Sequence, residues 1–266
     1  MSIGSRRVFR LSLTVALALV IAYAMASPLP HLAPIFAWLL TMEPKKPLGF
    51  KGLLVLIPVT ALTTGTGLLM IPLLSDYPAT AILVVLIALF FSTYLSVSLG
   101  QVTVGMLLTI GITLISAVGT VSFVAAIGVI NGFLMAIVIS ISSQWLVYPL
   151  FPEDPVSLEP PAEQVGNEYA LWISVRTTLI VIPVYLLCLT NPLMYTALIL
   201  KSVSLGQQST VGDTKAAAKV LLGSTLMGGV LAILFWFALK LNVSLWMFFL
   251  WMLLIGIGVA AKIYGL

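Results

Sequence analysis

The sequence predicts an all-α integral membrane protein of about ten transmembrane helices, arranged as a parallel repeat of a six-helix unit whose second copy lacks its last two helices. Three observations lead there. Hydrophobic residues make up 61% of the 266-residue chain and charged residues only 8%, against about 25% charged in soluble domains. Apolar stretches of about 17 to 25 residues, each able to cross roughly 30 Å of hydrocarbon, recur along nearly the whole length, and only helices satisfy their own backbone within one such stretch. The order of long and short runs then recurs after a shift of 164 residues, which lays Pro28 on Pro192, Lys51 on Lys215 and Gly65 on Gly229.

Apolar runs between Pro, Gly and charge punctuation place the helices near 8–26, 31–43, 50–74, 78–99, 102–118, 120–149, 169–190, 192–205, 214–240 and 243–264. The first follows a basic stretch and ends at Ala24-Met25-Ala26, the outline of a secretory signal. Its repeat partner deep in the chain makes retention the expectation. The runs 31–43 and 192–205 both begin at prolines and reach only about 20 Å at helical rise, short of a bilayer. Between the halves, "FPEDPVSLEPPAEQVGNE" carries five of the eight acids and four prolines, and reads as a solvated linker. The domain expectation is a first half at 1–150, a cytoplasmic linker at 151–168 and a second half at 169–266. An even repeat unit keeps both copies in one orientation. The partners of the fifth and sixth helices would lie past residue 266, where further chain or a second subunit is expected to fill their place.

With both termini in the cytoplasm, eleven of the twelve basic residues fall at or toward cytoplasmic ends and only Lys240 at an outer one, as the positive-inside rule requires. Trp145, Tyr148, Tyr169 and Trp172 then mark the inner interface, and Tyr23, Tyr77, Trp236 and Trp246 the outer one. Cys188 stands alone, so no internal disulfide forms. His31 receives no role, and Asn131 lies within the GxxxG spacing of Gly128 and Gly132, which signals a helix contact more often than a site.

Chemistry is expected around the short helices, because Pro-interrupted short segments at matching places in two halves point to a transport site. Lys201 lies nine residues past Pro192 and is costly at that depth unless paired, hydrated or snorkelling. In "GDTKAAAKVLLG", Lys215 and Lys219 occupy the first turns of the ninth helix, an end that already favours an anion. A carboxylate held by Lys201, Lys215, Lys219 and free backbone amides is one reading; ordinary positive-inside bias is the other. Asp213 either neutralises the cluster, titrates as a coupling site or caps the helix. Glu43 and Lys51, with Lys45 and Lys46, crowd the mouth of the first short helix as a gate or as interfacial anchors. Thr64 and Thr66 of "TTGTG" either line a polar path or let helices approach closely. No metal site, cofactor motif, nucleotide-binding loop or catalytic triad occurs, which disfavours an enzyme.

Six-helix halves in parallel, Arg10 and Arg176 opening the first helix of each half, a short helix after a proline turn, and "GTG" at 65–67 resemble the fusaric acid resistance and aromatic acid exporter superfamily. Larger relatives carry an arginine where Leu62 stands, and a sizeable cytoplasmic domain after each half. The resemblance implies a compact bacterial inner-membrane efflux component for aromatic or other organic acids, working with a periplasmic membrane-fusion adaptor. A homo-oligomer is a further expectation, and nucleic acid is not a partner. Plant relatives include malate channels, so a passive anion channel stands beside the gradient-driven exporter, and a non-transporting membrane scaffold beside both.

Overall fold

A computed structural model describes residues 3–42, 46–153, 167–192, 194–195, 198–199, 201–202, 211–242 and 244–265. Among them there is no strand. The helices are α1 (Ile3–Ala24), α2 (Leu32–Met42), α3 (Phe50–Asp76), α4 (Pro78–Ser98) and α5 (Val102–Ile110), which runs through a π turn (Gly111–Ile115) into α6 (Ser116–Val121). They continue with α7 (Phe123–Val147), α8 (Asn167–Thr190), α9 (Val211–Leu241) and α10 (Leu245–Ile263). The described residues within 192–202 are also helical. Eight spans among the described residues are long and apolar enough to cross a membrane, so this is a multi-pass membrane protein. α2 is the short apolar exception, reaching about 16 Å.

Two boundaries differ from the expectation for visible reasons. α1 begins at Ile3 rather than near 8. Arginine is a good helix former, so the basic stretch prolongs the apolar helix instead of preceding it. The run expected at 102–118 extends to Val121 and contains the π turn, with the chain breaking at extended Ser122. Pro58, Pro72 and Pro183 sit inside α3 and α8, which membrane helices tolerate where neighbours re-satisfy the freed carbonyls.

The chain forms two compact units, each drawn from several stretches of sequence. Unit 1 takes Met1–Ile57, Asn131–Glu159 and Met227–Leu266. Within it α1 packs against α10 and α2. α2 runs beside the second part of α7 in the same direction: Ser140 Oγ donates to Ala33 O at 2.8 Å, and Gln144 Nε2 to Thr41 Oγ1 at 2.9 Å. Leu53, Ile137 and Ile141 form a core there with Phe36 and Trp145. Unit 2 takes Pro58–Ile130 and Pro160–Leu226. In it α4 packs on α8 and α5, and Val85, Leu89, Val181, Tyr185, Cys188 and Ile199 share one buried core. Ile199 fixes the short second-half segment to that core.

Unit 2 also explains "TTGTG". A Cβ on Gly67 would lie 2.0 Å from Gly111 O, and one on Gly111 would lie 2.3 Å from Thr63 O. α3 and the π turn therefore touch backbone to backbone, an approach only glycine permits.

Candidate functional site

Within unit 2, Lys201 Nζ donates to Thr225 Oγ1 of α9 at 2.7 Å, and Thr225 Oγ1 donates in turn to Leu221 O at 2.7 Å. Thr225 lies seven residues inside the apolar span Ala218–Lys240, about 10 Å from its start at helical rise. The half-buried ammonium therefore lies level with the second turn of that apolar span rather than out beyond its end. Among the described residues, the carboxylate ion pairs involve Glu153 and arginines, and none reaches Lys201. A cation so placed costs about 3 kcal/mol without a counter-charge or water. One hydroxyl oxygen offsets part of that.

The other sequence candidates divide. Lys219 is exposed on α9, six residues before Thr225, and no hydrogen bond joins it to Lys201 among the described residues. α9 already includes Val211, so Asp213 stands inside the helix and does not cap it as expected from a start near 214; the side chains of Asp213 and Lys215 lie outside the described ones, and Glu43 lies outside the described residues altogether. Lys51 is exposed in the first turn of α3. Thr64 is buried and donates to Thr60 O at 2.6 Å; Thr66 donates to Thr63 O at 2.7 Å. Both hydroxyls thus serve their own helix, beside the α3 crossing with the π turn.

Unit 1 holds a second charged group. Arg10, eight residues into α1, is 0% exposed. Its guanidinium lies over the ring of Tyr148, 4.7 Å from the centroid, and Nη2 pairs with Glu153 Oε2. Arg7 Nε donates to Glu153 Oε1 at 2.9 Å. The carboxylate side chain retains only 4% exposure, so Glu153 departs from the solvated-linker expectation: two arginines draw it in. Burial pushes its pKa up, and the hydrogen bonds and charges of Arg7 and Arg10 more than reverse this, leaving Glu153 below the ordinary glutamate value. Phe9 stacks on Phe151 at 6.0 Å beside the pair. One turn before Tyr148 on α7, Gln144 is buried with no partner on Oε1 among the described residues, and Arg10 Nε and Nη1 likewise lack hydrogen-bond acceptors among them. Tyr264 Oη donates to Met42 O at 3.0 Å. These contacts bring the start of α1 and the ends of α2, α7 and α10 to one end of unit 1.

At the other end of unit 1, Tyr23, Trp236, Leu239, Lys240, Ser244, Leu245 and Phe248 line an open cavity of about 400 Å³. Lys240 Nζ stands 3.7 Å above the Trp236 ring, and Tyr23 meets Phe248 edge to face. Among the described residues, no cluster of His, Cys, Asp or Glu is spaced to hold a metal ion.

The family model described as "Protein of unknown function (DUF2955)" matches residues 7–147, more than half of the chain. The chain belongs to the DUF2955 family. The DUF2955 match begins at Arg7, takes in Arg10, the α3 contact with the π turn and Gln144, and stops just before Tyr148 and Glu153. Lys201 and α9 lie beyond it. No curated protein and no solved structure matches the chain.

Proposed function

We propose that the chain is a carrier of the bacterial inner membrane, with both termini in the cytoplasm, that exports small organic carboxylic acids, aromatic ones foremost, on an ion or proton gradient. The supporting observation is Lys201: an ammonium level with the second turn of an apolar span, positioned by Thr225, with no carboxylate partner among the described residues. A permanent resident of that depth would be neutralised by a fixed acid; a site for a visiting anion keeps the charge available. Lys215, Lys219 and Asp213 of α9 belong with Lys201 in this reading, and Glu43 and Lys51 are assigned coupling or gating at the mouth of the first short helix. The resemblance to the aromatic acid exporters, the parallel repeat and a periplasmic adaptor belong to the same reading.

Purified protein in proteoliposomes loaded with labelled benzoate tests it. Lys201→Ala should lower gradient-driven efflux at least tenfold while insertion and elution remain normal. Full efflux in that variant removes Lys201 from the site. Flux that persists unchanged after the gradient is collapsed makes the protein a passive anion channel instead.

A further inference from the structure

The Arg10 group of unit 1 is not used by the carrier reading, and its geometry is that of a ligand site with an internal occupant. An arginine inside an apolar helix is expected to reach toward water. Arg10 does the opposite, being fully enclosed. Its flat face is covered by Tyr148, which leaves the edges for hydrogen bonding. Glu153 meets one nitrogen, whereas among the described residues Nε and Nη1, which carry three N–H hydrogens, meet no acceptor. Buried polar atoms are ordinarily satisfied, so these mark a place built for more than Glu153 supplies. Glu153 itself stands six residues past the end of α7, tied to that helix by the short turn in which Leu150 and Phe151 donate to Val147 O. It is a carboxylate on a short tether, with the Phe9 and Phe151 rings alongside.

We propose that Arg10, capped by Tyr148, forms a carboxylate-binding site that Glu153 occupies in the resting chain, and that a small carboxylate on an aromatic body displaces Glu153 to bind there. This goes beyond the Lys201 reading: it is a separate site with its own built-in competitor, and its presence is read by binding rather than by flux. A tethered competitor acts at millimolar effective concentration, so its removal raises the apparent affinity of an external carboxylate. The carboxylate recruits the guanidinium edge, and a neutral amide of the same shape does not.

The test uses the full chain in phosphatidylcholine nanodiscs, with benzoate and benzamide titrated calorimetrically. Glu153→Gln should bind benzoate at least tenfold more tightly than the wild type and leave benzamide binding unchanged. Adding Arg10→Lys to Glu153→Gln should abolish the gain. Arg7→Gln loosens the hold on Glu153 at a partly exposed position and should give a smaller gain in the same direction, which covers the case where Glu153→Gln does not fold. If folded Glu153→Gln or Arg7→Gln binds benzoate no more tightly than the wild type, the proposal fails. It fails equally if Lys201→Ala removes the gain, or if inorganic phosphate, the anion of a lipid headgroup, competes as well as benzoate does. Absence of gradient-driven benzoate efflux by the wild type, with this binding intact, would count against the carrier reading alone.

Discussion

Arg10 and Glu153 show how one residue decides the fate of another. Alone, each charge would be expelled from the interior of unit 1; together with Arg7 they remain, and the cost of desolvation is met by paired charges and hydrogen bonds. The pair is asymmetric. Glu153→Leu leaves Arg10 buried without a counter-charge and should destabilise the protein by about 3–5 kcal/mol, whereas Arg10→Met leaves Glu153 with Arg7 and should cost less; denaturant melts of the two variants decide the order. The pH dependence follows from the lowered pKa of Glu153, set by burial against Arg7 and Arg10, with Tyr148 and Tyr264 as the other titratable groups nearby. A depressed carboxylate contributes stability that is full above the ordinary pKa of about 4.3 and is lost as pH falls through its own lower value. The melting difference between wild type and Glu153→Gln should therefore be constant from pH 5 to 8 and shrink below pH 4. A difference that grows on acidification would contradict the pairing. Arg10 was legible in the sequence only as a basic residue opening the first helix at its cytoplasmic end, not as a buried, paired group. Glu153 was not: it sits among four other linker acids and four prolines, and only its nearness to the end of α7, with two arginines arriving from α1, separates it from them.

At the scale of elements, apolar length and proline punctuation determined most helices, because a lipid-exposed backbone has to satisfy itself locally. What that logic does not reveal is where two helices touch. Thr63 to Gly67 offered a polar path or a close contact, and the glycines favour the contact: Gly67 meets the π turn through Gly111 O, with no room for a Cβ. The π turn itself has no sequence signature here, since Gly111–Ile115 is as apolar as its flanks, and it follows from packing. Gly67→Ala and Gly111→Ala should each cost about 1–3 kcal/mol through forced separation of α3 from the turn. Gly65→Ala, on the same helix with nothing within 4 Å, should be neutral or slightly stabilising. Melting temperatures of the three variants in one detergent give the comparison, and equal losses at Gly65 and Gly67 would remove the contact from the explanation.

Across the molecule, the distribution of charge in the sequence and the contacts of unit 1 bear on one question, which helix ends share a side. Residues from four helices converge around Arg10, Thr41, Gln144 and Tyr264, while Tyr23, Lys240, Ser244 and Phe248 gather at the opposite end. The short α2 matters most here, since the crossing of only eleven residues decides the parity of the helix that follows. Its side-by-side run with α7, from Ala33 at Ser140 to Thr41 at Gln144, carries the chain from one end toward the other despite its length. Cysteine labelling turns this into a measurement, because the native Cys188 is buried and should stay silent. With cytoplasmic termini, Tyr23→Cys and Ser244→Cys should react with a membrane-impermeant maleimide on intact cells, and Ile3→Cys and Lys262→Cys only after permeabilisation. Labelling of Ile3→Cys and Ser244→Cys from the same face would mean that α1 and α10 do not cross as paired antiparallel spans. The shared ends of unit 1 would then have to be redrawn.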